Sequence, residues 1–121
     1  MAGQVQGRRS LAAAVFIPNL LTGQIFENIP YNAQVEIGLC QAAVDGTPAL
    51  GLIAQVACDG DIVLQDINEQ NIAIKSTAPI WPDDYTIQLA CLMGSRLFIQ
   101  VRNNSAATTH ICFYGVRISP L

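Results

Sequence analysis

The chain has 121 residues, of which 51% are hydrophobic and only 12% charged, with a formal net charge of −3. That length suits one domain with a core of its own, and the acidic balance argues against broad nucleic-acid binding, which wants a basic stripe. Soluble domains average about 25% charged, so this chain leaves neutral or apolar surface facing water unless neighbouring subunits cover it.

In chain order, "MAGQVQGRRS" comes first, with Arg8 and Arg9 as the only adjacent cationic pair. Two such charges would support no more than a weak nucleic-acid contact. "LAAAVFIPNLL" (Leu11–Leu21) is as apolar as a signal-peptide core, but Pro18 interrupts it and no small-x-small cleavage site follows. Its 11 residues are too few to span a bilayer. We read residues 1 to about 21 as an N-terminal arm on a single domain covering 1–121. The run is poorly patterned as a two-faced strand, so Leu11, Val15, Phe16, Ile17, Leu20 and Leu21 are candidate interface residues.

"AQVEIGL" (Ala33–Leu39) puts Val35, Ile37 and Leu39 on one face and Gln34, Glu36 and Gly38 on the other, the period of a half-buried strand. "DGTP" (Asp45–Pro48) is a turn, since Gly accepts positive φ and Pro fixes its own. "ALGLIAQVAC" (Ala49–Cys58) is apolar on both faces. "DGD" (Asp59–Asp61) turns the chain into "IVLQDI" (Ile62–Ile67), and "NIAIKS" (Asn71–Ser76) is a short strand with Ile72 and Ile74 inward. "TAPIWPDDY" (Thr77–Tyr85) holds two prolines and the only tryptophan, so it is a loop. Aromatic residues in a loop are typical interface anchors, which adds Trp81 and Tyr85 to the interface candidates; a sugar-stacking platform and a core plug are the competing readings.

"YTIQLACLM" alternates with Tyr85, Ile87, Leu89, Cys91 and Met93 on one face. Gly94-Ser95 links it to "RLFIQVR", where Leu97, Ile99 and Val101 face in. "NNSA" (Asn103–Ala106) closes a hairpin to the last strand, "HICFYGVRI"; Asn103-Asn104-Ser105 also fits the N-glycosylation pattern, but suits a turn without a secretory route. With segments near Leu11–Ile17 and Leu20–Phe26 counted, about eight strands predict an all-β fold, an antiparallel β-sandwich of jelly-roll type. An immunoglobulin-like sandwich or a meander suits the same turns.

Catalytic and metal sites find little support. His110 is the only histidine, with Ser105, Cys112 and Asp83 as conceivable partners. Cys112, two residues on along the same strand face, is too close to suggest an assembled nucleophile pair, and a strand-end histidine with a structural hydrogen bond is the expectation. Asp59, Asp61, Asp66 and Glu69 cluster, but Val63 stands where a calcium loop needs its fifth-position ligand. No phosphate-binding or nucleophile-elbow motif occurs. The expectation is no enzyme, no cofactor and no metal. Cys40, Cys58, Cys91 and Cys112 lie in apolar runs with no C-x-x-C pair, so four buried free thiols are expected. A hairpin through Asp45–Pro48 would set Cys40 opposite Ile53 and Cys58 opposite Val35, and one through Gly94-Ser95 would set Cys91 opposite Phe98.

The neutral β-rich composition, the arm "MAGQVQGRRS" and the ending "LFIQVRNNSAATTHICFYGVRI" resemble small virion proteins of bacteriophages. The resemblance implies a jelly-roll or immunoglobulin-like structural subunit, located in the virion after assembly in the host cytoplasm. It implies self-association as a homo-oligomer and contact with a major capsid protein. At 121 residues a capsid decoration, cement or minor capsid protein fits better than a sole shell protein. The alternative is a small β-sandwich binding module, lectin-like or a trimeric jelly-roll ligand.

Overall fold

A computed structural model describes residues 3–23, 27–43, 51–58, 61–67, 72–74, 77–81, 83–104 and 108–121, with only the backbone of 61–67 and 73. Among them run nine strands and no helix: β1 (Gly3–Leu11), β2 (Phe16–Ile17), β3 (Ala33–Ala43), β4 (Leu52–Cys58), β5 (Asp61–Ile67), β6 (Ala73–Ile74), β7 (Ile87–Cys91), β8 (Leu97–Asn103) and β9 (His110–Pro120). The first sheet has the order β1-β9-β3; the far edge of β3 is shared by β7, antiparallel at Ala33–Ile37, and by β6, parallel at Cys40 and Gln41. The second sheet has the order β2-β8-β4-β5.

Apart from the two-residue β6, the chain changes sheet at every connection except β4 to β5. Orders β1-β9-β3-β7 and β2-β8-β4-β5 are those of a jelly roll, two Greek keys wound together. The predicted sandwich is therefore present, and the immunoglobulin-like and meander alternatives fall. Gly94-Ser95 does not close a hairpin; it carries the chain from β7 in one sheet to β8 in the other. Nor do β8 and β9 pair, since they lie in different sheets, so the predicted hairpin between them is absent; Ser105 and Ala106 of its turn lie outside the described residues. The physical reason is symmetric burial: two strands with one apolar face each satisfy it side by side or face to face. Turn residues do not distinguish the two.

The predicted inward set holds: Val35, Ile37, Leu39, Ile87, Leu89, Leu97, Ile99 and Val101 are all buried in one core. Ile74 and Met93, predicted inward, are exposed. The segment read as an arm is built into the sandwich. β1 pairs with β9 along its whole length, from Gly3 opposite Ile118 to Leu11 opposite His110. Its sequence hides this because Val5 is the only apolar residue before Leu11; an edge strand is held by the backbone ladder with little side-chain patterning. Leu20 and Leu21, predicted within a strand, lie in a turn and still reach the core.

Three buried amides pin the crossings, as buried polar groups must find partners. Asn19 donates from Nδ2 to the Leu97 carbonyl (3.1 Å) and accepts at Oδ1 from the Leu21 and Ile99 amides (3.0 and 3.1 Å). Gln41 donates to the Ile72 carbonyl (3.1 Å) and accepts from the Leu52 amide (2.9 Å), tying β3 to the start of β4 in the other sheet. Asn103 Nδ2 reaches the carbonyls of Leu11, Ala12 and Thr108 at 2.9, 3.2 and 2.9 Å. With that nitrogen buried and engaged, the Asn103 glycosylation pattern has no acceptor to offer.

The cysteine expectation is overturned. Cys58 at the end of β4 and Cys91 at the end of β7 form a disulfide joining the two sheets, while Cys40 and Cys112 stay buried thiols outside that bond. The hairpin registers fail with it, because β3 and β4 lie in different sheets, as do β7 and β8. Cys40 stands opposite Ala73 and Phe113, Cys58 opposite Asp61 and Leu97, and Cys91 opposite Ala33. The Asp45–Pro48 turn itself lies outside the described residues.

Candidate functional site

Along β3 and β9 the outward positions of the first sheet include Glu36 opposite Arg117 and Gly38 opposite Gly115. Two glycines side by side leave a trough in the sheet surface, and glycine inside a strand often marks a close approach by other chain. Here the approaching chain is the loop Thr77–Tyr85. A methyl group on Gly115 would overlap the Tyr85 hydroxyl, and one on Gly38 would come within 2.7 Å of the Pro79 Cβ. The Tyr85 hydroxyl accepts from Gln4 Nε2 (2.9 Å) and Gln6 Nε2 (3.3 Å) on β1, and Gln6 also donates to the Pro79 carbonyl (3.2 Å). Tyr85 is 2% exposed. It is the peg that fastens the loop across the sheet.

With the peg in place, the rest of the loop is forced into a tight turn. The Ile80 amide donates to Asp84 Oδ2 (2.8 Å), and the Asp84 amide returns a bond to the Ile80 carbonyl (2.9 Å). Trp81 then lies over Arg117, its ring centroid 3.9 Å from the guanidinium carbon, and donates from Nε1 to Glu36 Oε2 (3.0 Å). A cation held on the ring face and an acceptor at the ring nitrogen fix the indole in one pose. Trp81 nevertheless remains 43% exposed, and Ile80 beside it 57%. The arrangement is a rigid aromatic ridge standing on a sheet face.

Gly115→Ala tests how much the trough matters. Because the added methyl meets a pegged ring, the substitution should cost about 1–3 kcal/mol, the range for overpacking. Urea unfolding reads the cost, and the emission of the single tryptophan reads displacement of the loop. A neutral result would mean that the loop sits off the sheet.

The interface candidates separate into two groups. Leu11, Ile17, Leu20 and Leu21 are packed in the core of their own chain, and Tyr85 is buried beneath its loop; they present no free surface. Val15, Phe16 and Trp81 are exposed. Phe16 stands on β2 opposite Arg102 in the second sheet, whereas Trp81 covers the first, so they do not form one patch. Gln4, Gln6, Glu36 and Arg117 carry no signal of a site in the sequence, because their roles depend on which loop returns to them. Gly38 in "AQVEIGL" and Gly115 in "HICFYGVRI" were the available signal, two glycines inside strong strand patterns.

Among the described residues, those considered for catalysis are not assembled. His110 is buried at the start of β9, with Nδ1 3.3 Å from the Thr108 carbonyl and Nε2 without a partner. Burial pushes the neighbouring Cys112 thiol up to about 12, with Cys40 adding to the effect. That thiol stays protonated and is no nucleophile at neutral pH. Asp83 is exposed on the loop over the outer face of the first sheet, away from the inward-facing His110. Ser105 and the side chains of Asp59, Asp61, Asp66 and Glu69 lie outside the described residues. Searches of family models, curated proteins and solved structures find no match to this chain.

Proposed function

We propose that the protein is a non-enzymatic structural subunit of a virion, a capsid decoration, cement or minor capsid protein that self-associates and contacts a major capsid protein. The jelly-roll strand order carries this reading: it is the architecture of viral capsid domains, although lectin domains and cupins share it. The surface supports it. Phe16, Ile80, Trp81, Leu92, Met93 and Leu121 are large apolar side chains at 43–69% exposure, on a chain with only 12% charged residues. Such a surface suits a subunit whose neighbours cover it. Sedimentation velocity at micromolar concentration tests the association. A discrete species heavier than the 13.0 kDa chain is expected, and a monomer throughout would remove the structural-subunit reading.

The second reading, a small lectin-like binding module, draws on one observation. An indole clamped by Arg117 and Glu36 yet 43% exposed is also suited to stacking against a sugar ring. A monomer that binds a glycan array through Trp81, and loses binding on Trp81→Ala, would favour it.

A further inference from the structure

Near the Trp81 ridge, the outer face of the first sheet carries a depression of about 290 Å³ lined by Gln6, Gly7, Arg8, Ala78 and Phe113. Phe113 belongs to a small second apolar cluster with Cys40 and Ala42, and its register opposite Arg8 places both on the outer side of the sheet. The volume is at or below the ~300–1,000 Å³ of pockets that enclose a small-molecule ligand. It has room for one or two large side chains. Trp81 stacks on Arg117, four residues along β9 from Phe113, so ridge and depression stand roughly 13 Å apart on one face.

Charge follows the same polarity. Arg8, at the wall of the depression, is exposed and has no acidic partner among the described residues. Asp83, beside the ridge, is exposed and likewise unpaired. A face with an anchor and an acid at one end, and a hollow and a base at the other, is complementary to itself. Two-fold interfaces have this property, since residue i meets j and j meets i.

We infer that two copies of this chain pack through the outer faces of their first sheets, each Ile80–Trp81 ridge seated in the partner copy's Phe113 depression and each Asp83 against the opposing Arg8. The two-fold axis lies along the face and crosses the strands near Gly115, where Pro79 and Tyr85 are buried against the Gly38–Gly115 pair. The inference rests on the self-association proposed above and names its surface.

The test is a charge swap read by sedimentation velocity and by tryptophan emission, Trp81 being the only tryptophan in the chain. Arg8→Asp and Asp83→Arg each set like charges against one another across the interface. Each should weaken the dimer about tenfold or more, while the double variant should return to within a few-fold of wild type. Trp81→Ala should weaken it by ~30-fold or more, as a central anchor does. In the wild type, dilution should red-shift the emission as the indole becomes wet. Both charge variants alter exposed side chains, so the fold is kept and circular dichroism should be unchanged. If neither reversal weakens association, or if the double variant stays dissociated, this surface is not the interface, and self-association through another face still stands. A wild type that is monomeric at every concentration overturns both.

Discussion

Removal of Met1–Leu21 is expected to leave a chain that does not fold. Leu11, Ile17, Leu20 and Leu21 are 0–8% exposed, and burying each such side chain contributes ~1.5–3 kcal/mol. Their joint loss, roughly 6–12 kcal/mol, is comparable to the ~5–15 kcal/mol that holds a typical domain together. The backbone loses as much support as the core. β9 is stripped of its partner along the full ladder from Gly3 to Leu11. Without Asn19, the Ile99 amide and Leu97 carbonyl on β8 lose their bonds, and Asn103 loses the Leu11 and Ala12 carbonyls. Circular dichroism and urea titration of the truncated chain decide the matter. A cooperative transition within ~2 kcal/mol of wild type would show that the segment is the detachable arm its composition suggested.

Loss of the Cys58–Cys91 disulfide should be the second largest effect. The bond closes a sequence separation of 33 residues, and in the chain-entropy account a loop of that size stabilises by about 3–4 kcal/mol through the unfolded state. It also fastens β4 to β7, the only covalent link between the sheets other than the chain's own crossings among the described residues. The urea midpoint under a reductant, and that of Cys58→Ala/Cys91→Ala without one, should both fall below the midpoint of the unreduced wild type. Thiol titration of the denatured, unreduced protein should count two groups, Cys40 and Cys112. Four thiols, or an unchanged midpoint in the double variant, would contradict the assignment.

Those two results probe the places where chain order and spatial order part. β1 and the Leu11–Leu21 run were legible as apolar or neutral sequence, but not as an edge strand and part of the core. The disulfide was illegible because Cys58 and Cys91 sit in separate apolar runs and meet only when β4 and β7 face each other across the sandwich. The candidate site was half legible. Trp81 and Tyr85 stood out as aromatics in a proline-broken loop, but they have opposite fates, one exposed on Arg117 and one buried over Gly115.

The sequence by itself determined the all-β class and the eight alternating residues that face the core, Val35 to Val101. Period-two alternation is a local property: Val35, Ile37 and Leu39 share a face whatever lies opposite, and burying that face is favourable in any sandwich. Strand order, cysteine pairing and the outer-face site were decided only by tertiary structure. Each depends on which of two equally buried arrangements a connection adopts, side by side in one sheet or across to the other. Local turn chemistry is nearly the same in both. The choice falls to contacts between distant residues, such as Asn103 with Leu11, Gln41 with Leu52, and Tyr85 with the Gly38–Gly115 trough. None of these is written in the pattern of either partner alone.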